Sequence, residues 1–140
     1  MAEVKLLDTG PLVALLDKDE QYHGWATNRM RGLTPPLVVC EPVLTEACFL
    51  LESHAPARRQ VRLWIESGFV RHVALDETAI LRALELMERY ASVPMSFADA
   101  CLVALAETTP GARVFTLDRD FLIYRQHEDK PLTLLVPFTQ

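Results

Sequence analysis

The sequence predicts an α/β fold, a three-layer α/β/α sandwich with a central, mainly parallel sheet. Two observations support this fold class: short β-like runs alternate with longer helical stretches, and prolines or capping residues mark where most of the helices begin. Strands separated by helices form parallel sheets that are covered by helices on both faces. The chain has 140 residues, an ordinary size for one domain. We therefore predict a single domain over residues 1–140.

The first half of the chain predicts two strands and four helices. A short apolar run ends at Asp8, and Pro11 then opens a helix, because proline fits the first helical turn. Pro35 and Pro36 break the chain before the next strand. The predicted strands are 4–7 and 37–40, and the predicted helices are 11–16, 21–30, 42–51 and 56–67.

The second half predicts three further strands and two longer helices. Apolar residues at helical spacing, from Ile80 to Met87, face away from a charged side of the first of these helices. The second helix is apolar nearly all round, which is typical of a buried helix. The predicted strands are 70–75, 114–117 and 132–136, the predicted helices are 78–90 and 98–106, and 119–124 is predicted as one or two helical turns.

Composition restricts the possible functions. The longest apolar runs are far shorter than the roughly 20 residues of a membrane-spanning helix, so we expect no membrane segment and a cytoplasmic protein. The net charge of −5 excludes nucleic-acid binding by bulk electrostatics alone. Cys40, Cys48 and Cys101 form no CxxC pair, and we interpret all three as small core residues in a reducing compartment.

Two aspartates follow predicted strands directly. Asp8 comes after the run VKLL, and Asp118 comes after VFTL. Parallel sheets place their ligand sites at the carboxyl ends of the strands, so both side chains are candidates for a site there. An aspartate after a strand is also a good helix N-cap, and that structural role is the alternative for each of them.

Two further acids lie on predicted helices. Glu46 has Val43, Phe49 and Leu50 as helical neighbours, and a carboxylate on an apolar stripe is costly to bury unless it is paired or binds a metal. Its alternative is a position at the edge of the stripe, with the carboxylate in solvent. Asp99 begins the apolar helix, and the spacing from Ser96 to Asp99 also fits a capping box.

The four acids together predict a metal site. Two carboxylates about 4 Å apart repel by roughly 4 kcal/mol at an effective dielectric of 20, so a shared pocket needs protons or a cation. Basic side chains are scarce in these segments. Oxygen donors of this kind suit Mg²⁺ or Mn²⁺.

The segments that carry these acids resemble a known family. LLDTGPLVALLD, VLTEACFLL, SFADACLVALA and VFTLDRDF are similar to the four acidic signatures of PIN-domain nucleases, in order, spacing and neighbours, over essentially the whole chain. The resemblance implies that Asp8, Glu46, Asp99 and Asp118 are the catalytic, metal-holding acids. The length also resembles the VapC toxins of type II toxin–antitoxin pairs, which are PIN domains with little else attached.

The resemblance implies an activity and a set of supporting residues. The activity is Mg²⁺- or Mn²⁺-dependent cleavage of phosphodiester bonds in single-stranded RNA, with a VapB-like antitoxin and a homodimer as expected partners. Thr116 matches a hydroxyl position that family members often use near the site, and we place Thr9 and Asp120 with it as supporting residues. The alternative for Asp120 is an acid in the first turn of a helix. The arginines Arg58, Arg59 and Arg62 share one helix face and are candidates for RNA binding, the alternative being a solvated face.

Other functions stay open at this point. A PIN nuclease that acts alone in RNA processing would have the same four acids. A receiver-like Mg²⁺-binding signalling domain would need two adjacent acids near the first strand, but Leu7 precedes Asp8. A haloacid-dehalogenase-type phosphatase would need an aspartate at the position of Gly10. A PIN fold that only binds its partner would not need all four acids.

Overall fold

The computed structural model describes residues 3–139, and a parallel sheet with helices around it forms the body of the molecule. The elements in chain order are β1 (Val4–Leu7), α1 (Thr9–Leu16), α2 (His23–Arg31), β2 (Leu37–Cys40), α3 (Glu41–Leu50), α4 (Ala55–Ser67), β3 (Val70–Val73), α5 (Glu77–Arg89), α6 (Phe97–Thr108), β4 (Ala112–Phe115), a short 3₁₀ helix (Arg119–Leu122), β5 (Arg125–Gln126), β6 (Lys130–Pro131) and β7 (Leu134–Leu135).

The main sheet has five strands in the order β3-β2-β1-β4-β7. All four strand pairs are parallel, and β1 lies in the centre, with Leu6 aligned to Val38 on one side and to Val114 on the other. A parallel connection needs a crossover, which the helices between the strands provide. The predicted fold class, a mainly parallel sheet flanked by helices, is confirmed.

The core lies between the sheet and α6. All four residues of β2 are buried, as are Leu6 and Leu7 of β1, which is typical of strands covered on both faces. In α6 nine consecutive residues, from Ala98 to Ala106, are buried. The prediction of a buried apolar helix is therefore confirmed, and its first turn carries Asp99 into the interior.

Several predicted boundaries are wrong, and two short strands were not predicted. The helix expected at 11–16 begins at Thr9, since Asp8 is its N-cap. The strand expected at 114–117 is Ala112–Phe115, because the hydroxyl of Thr116 accepts a hydrogen bond from the backbone N–H of Asp118 and the chain turns there. The antiparallel pair of β5 and β6 was not predicted.

The prediction for the cysteines is correct for two of the three. Cys40 and Cys101 are buried in the core, but Cys48 is exposed, because it lies on the outer side of α3 beside the exposed Phe49. None of the helices within residues 3–139 is long and apolar enough to span a membrane.

Candidate active site

The four acids reach one end of the sheet from four different elements. Asp8 follows β1, and its backbone N–H donates to the carbonyl of Phe115, the last residue of the adjacent strand β4, at 3.0 Å. Asp118 lies three residues beyond β4, at the start of the 3₁₀ helix. Glu46 comes from α3 and Asp99 from the first turn of α6.

One open pocket of about 380 Å³ is lined by all four of these side chains. Its lining residues are Asp8, Thr9, Gly10, Glu46, Leu50, Ser96, Asp99, Leu117 and Asp118. None of these lining residues is a lysine, arginine or histidine. The predicted convergence of the four acids at the carboxyl ends of the strands is what the structure shows, and their negative charges have no basic side chain among them.

Asp8 is the most constrained of the four acids. Its two carboxylate oxygens accept hydrogen bonds from the hydroxyl of Thr116 at 2.6 Å and from the backbone N–H of Thr9 at 2.8 Å. The pKa of Asp8 is raised to about 6, chiefly by burial and also by the charges of Asp118 and Glu46, while these hydrogen bonds lower it. The N-cap role and the site role are therefore both present in one residue.

Asp99 also combines the two roles that the sequence left open. The capping box is present: the backbone N–H of Asp99 donates to the hydroxyl of Ser96 at 3.1 Å, and the N–H of Ser96 donates to Asp99 Oδ2 at 3.3 Å. Burial raises the pKa of Asp99 to about 7, and the negative charge of Asp8 is the next largest cause. Capping explains where α6 begins, but it leaves this carboxylate facing other acids.

Glu46 is half-buried rather than enclosed by an apolar stripe. Phe49 and Leu50 of the same helix are 69% and 59% exposed, so the predicted stripe faces outward at this end of α3. The carboxylate accepts a hydrogen bond from the hydroxyl of Thr9 at 2.8 Å. Thr9 thus connects Glu46 to Asp8, whose carboxylate accepts the backbone N–H of the same threonine.

Asp118 and Asp120 differ in their relation to the pocket. Asp118 lines it, and its Oδ1 accepts the backbone N–H of Asp120 at 2.9 Å as the N-cap of the 3₁₀ helix. Asp120 does not line the pocket, although burial and the charge of Asp118 raise its pKa. Thr116 is fully buried and joins Asp8 to the backbone N–H of Asp118, and its supporting role stays a prediction.

Tyr124 was not predicted as a neighbour of the site. It is fully buried, and its hydroxyl donates to the carbonyl of Pro94 at 2.6 Å. Burial, followed by the charge of Asp99, raises its pKa. A buried tyrosine six residues after Asp118 carries no sequence signal of its own, because only the tertiary fold brings it beside Asp99.

The structure does not bring the candidate RNA-binding arginines to this pocket. They lie on α4, which packs against β3 at the far edge of the sheet. Arg58 donates to the carbonyl of Leu51 at 3.3 Å, and Arg62 pairs with Glu66 at 2.7 Å. Arg59 is exposed beside a surface cleft on the same helix.

The donor set fits a hard divalent cation. Carboxylate oxygens are the ligands that Mg²⁺ and Mn²⁺ prefer, and burial, together with the neighbouring negative charges, raises the pKa values of Asp8 and Asp99. Within residues 3–139, however, no three His, Cys, Asp or Glu side chains are arranged as a ready metal cage. Mg²⁺ usually binds one or two carboxylates and keeps several waters, so this arrangement is compatible with it.

Comparison with known proteins gives a family and two similar folds. The model of the PIN domain family matches residues 5–126. The sarcin-ricin loop cleaving toxin VapC20 of Mycobacterium tuberculosis is similar in structure, with a TM-score of 0.75 and 22% identity over 83% of this chain and 91% of that one. The DNA-bound VapBC of Salmonella typhimurium has a TM-score of 0.65 and 16% identity over 96% of this chain and 98% of that one. Among curated proteins no match is found.

Proposed function

The chain belongs to the PIN domain family, and on this basis we propose that it is a metal-dependent ribonuclease that hydrolyses phosphodiester bonds in single-stranded RNA. The observation that carries the proposal is the single open pocket lined by Asp8, Glu46, Asp99 and Asp118, with no basic side chain in its lining. Four ionised carboxylates in one pocket repel each other, and a bound cation offsets this repulsion. Membership of the PIN domain family excludes the alternative of a receiver-like signalling domain.

Each residue of the site has a distinct task in this proposal. Asp8, Glu46, Asp99 and Asp118 would hold Mg²⁺ or Mn²⁺, which when bound supplies positive charge to the phosphodiester and polarises the attacking water. Thr116 and Thr9 orient the carboxylates of Asp8 and Glu46 through the hydrogen bonds described above. One of these carboxylates would also accept the proton of the attacking water.

The test is the conversion of single carboxylates to amides. We expect Asp8→Asn and Asp99→Asn each to lower Mg²⁺-dependent cleavage of a single-stranded RNA on the order of 100-fold or more, with the fold retained by circular dichroism. Asp76→Asn is the matched control: Asp76 caps α5 outside the pocket, where asparagine caps equally well. Wild-type cleavage by either pocket variant would refute the assignment.

We further propose that the protein is the toxin of a toxin–antitoxin pair with a VapB-like antitoxin. The support is the similarity of the whole fold to a VapC toxin and to a VapBC complex. Because one of these relatives is a sarcin-ricin loop cleaving toxin, a structured RNA loop is included among the substrates to be tried. A cytoplasmic location stays a prediction and follows from an RNA substrate of this kind.

Growth of a bacterial host distinguishes a toxin from a housekeeping nuclease. Expression of the wild type is expected to arrest growth, and Asp99→Asn is expected to relieve the arrest. A small gene directly upstream, encoding a DNA-binding protein with a disordered tail, would identify the antitoxin. Normal growth with active purified enzyme would instead favour a PIN nuclease that acts alone in RNA processing.

We propose a homodimer formed by the exposed apolar sides of α3 and α5. Phe49 and Leu50 on α3 and Leu81 and Leu84 on α5 are exposed, and a mostly apolar cleft of about 440 Å³ lies between these helices and α6. Glu46 lines both this cleft and the acidic pocket, so the surface is continuous with the site. A second copy of the chain would cover side chains that are costly to leave in water.

A further inference from the structure

Arg119 follows the fourth acid of the site directly and is held by an aromatic ring. It is the first residue of the 3₁₀ helix and is exposed. Its guanidinium carbon lies 4.4 Å from the centre of the Phe138 ring, within the range of a cation–π contact. Phe138 comes after β7, so the contact joins the C-terminal segment to the loop that carries Asp118.

No carboxylate within the described residues 3–139 forms an ion pair with Arg119. Several other arginines are engaged: Arg82 and Arg113 pair with glutamates, and Arg125 donates to backbone carbonyls. Arg59 and Arg71 likewise form no ion pair among the described residues, so what distinguishes Arg119 is its contact with Phe138 and its place next to Asp118 of the acidic pocket.

A cation–π contact holds a guanidinium without using its hydrogen-bond donors. The ring covers one face of the planar group, while the five N–H groups point outward in the plane and stay available to an anion. A phosphate accepts two parallel N–H bonds from such an arginine. Arg119 is therefore both restrained and free to bind phosphate.

The position of Arg119 suits a phosphate next to the one that reacts. Asp118 lines the acidic pocket, whereas Arg119, the next residue, does not line it and contacts Phe138 of the segment after β7. Carboxylates in the pocket repel the flanking phosphates of any RNA that enters it. A cation just outside the pocket offsets this repulsion without disturbing the acids themselves.

We propose that Arg119, positioned by Phe138, binds a backbone phosphate that flanks the scissile phosphate of the RNA substrate. The inference rests on the proposed ribonuclease function and adds to it a place where the substrate is held. Arg119 is a substrate-binding residue in this proposal, and Phe138 is a positioning residue that acts through it. Phe138 lies outside the part of the chain that matches the family model, which is residues 5–126.

The experiment measures RNA cleavage and RNA affinity separately. We expect Arg119→Ala to raise KM for a single-stranded RNA about tenfold with little change in kcat, as the loss of one charged contact to phosphate implies. In the Asp99→Asn background, RNA affinity measured by fluorescence anisotropy falls by the same factor. The slope of log K against log salt also becomes shallower by about 0.7, the value for one phosphate in a single strand.

A double-mutant cycle tests the role of Phe138. Phe138→Leu is expected to weaken RNA binding in the wild type but to have no effect once Arg119→Ala is present, because the ring acts only through the guanidinium. Arg71→Ala is the matched control: Arg71 is exposed on β3, lies outside the pocket, and its loss removes the same charge.

Failure of this inference and failure of the proposed function give different results. An active wild type whose KM and salt slope are unchanged by Arg119→Ala, or changed equally by Arg71→Ala, overturns this inference and leaves the nuclease proposal standing. A wild type that neither cleaves nor binds RNA overturns the proposed function, and this inference with it.

Discussion

Thr116 has two hydrogen bonds that connect two of the acids. Its hydroxyl donates to Asp8 at 2.6 Å and accepts the backbone N–H of Asp118 at 3.0 Å, in a fully buried position. A single side chain thus fixes the direction of one carboxylate and the turn that carries another. Small errors in such orientation are costly for a site that must hold its groups in one geometry.

We expect Thr116→Val to lower kcat about 10- to 100-fold and to lower the free energy of unfolding by about 1–3 kcal/mol, since valine fills the space but leaves buried polar groups unpaired. Thr116→Ser keeps the hydroxyl and should stay near wild type. Thr108→Val removes a hydroxyl that bonds only within α6 and serves as the control. Steady-state kinetics and urea unfolding measure both effects, and an active Thr116→Val enzyme would contradict the orienting role.

Asp8 and Asp99 make the stability of the metal-free protein depend on pH. Their pKa values are raised from 3.8 to about 6 and about 7, so the folded state binds more protons than the unfolded state between these values. Their contribution to stability is therefore complete below about pH 4 and is lost as the pH rises through 6 to 7. The cause is burial together with mutual repulsion, which grows as the groups ionise.

In EDTA, we expect the free energy of unfolding to fall between pH 5 and pH 8, and to fall less in Asp99→Asn, which cannot ionise. Urea unfolding at several pH values measures this difference, and titrating groups remote from the pocket cancel in the comparison. Mg²⁺ at pH 8 should restore stability to the wild type more than to the variant. Equal pH slopes for the two proteins would show that Asp99 ionises in the folded state as readily as in water.

At the scale of elements, Arg82 connects α5 to α6 and to the turn between β5 and β6. Its guanidinium donates to Glu107 at 2.8 and 3.0 Å and to Glu128 at 3.1 Å. Glu107 also accepts the backbone N–H of His127 at 2.7 Å. The turn residues His127 and Glu128 have positive φ values of 49° and 74°, an unusual conformation for side chains of this kind.

We expect Arg82→Ala to lower the free energy of unfolding by about 2 kcal/mol, because it leaves the partly buried Glu107 without its cation. Arg62→Ala removes an exposed pair with Glu66 and should cost at most about 0.5 kcal/mol. Chemical denaturation compares the two variants. Similar costs would mean that the network around Arg82 behaves like any surface ion pair.

The elements that were predicted well are those whose signals are local. Helix α6 follows from Ser96 at its N-cap and from its apolar composition, and β1 follows from four residues before Asp8. The pair of β5 and β6 could not be predicted, because its turn has neither glycine nor asparagine and depends on Arg82 and Glu107, which are distant in sequence. The end of β4 was missed for a similar reason, since the hydroxyl of Thr116 decides it.

The difference between local signals and contacts of distant residues also applies to the site. Asp8 and Asp118 were predictable because a parallel sheet gathers the carboxyl ends of its strands at one edge. Glu46 and Asp99 lie on helices, and they were predicted from their apolar surroundings and from the resemblance to a known family. The contacts between Thr9 and Glu46 and the approach of Tyr124 to Asp99 depend on how α1, α3 and the 3₁₀ helix pack, which no local pattern reveals. The sequence predicts Phe49 and Leu50 as part of an apolar stripe around Glu46, but both side chains are exposed.

At the scale of the whole molecule, the exposed sides of α3 and α5 lead to a prediction about assembly. We expect light scattering after gel filtration to give a dimer for the wild type and a monomer for Leu84→Glu, because a charge in an apolar interface is desolvated without a partner. Leu84 is 47% exposed, so the change should not unfold the chain. Leu63→Glu, at a 39% exposed position on α4, is the control and should stay dimeric. A wild type that runs as a monomer would refute the proposed dimer.

The position of β1 in the centre of the sheet has a consequence for synthesis. The hydrogen bond from Thr116 to Asp8 joins residues 108 positions apart, and β1 pairs with β4 over a similar span. A nascent chain that has exposed its first strand still lacks the neighbour on one side until most of the polypeptide has left the ribosome. The acidic pocket is thus completed late in translation, and incomplete products of the gene carry only part of it.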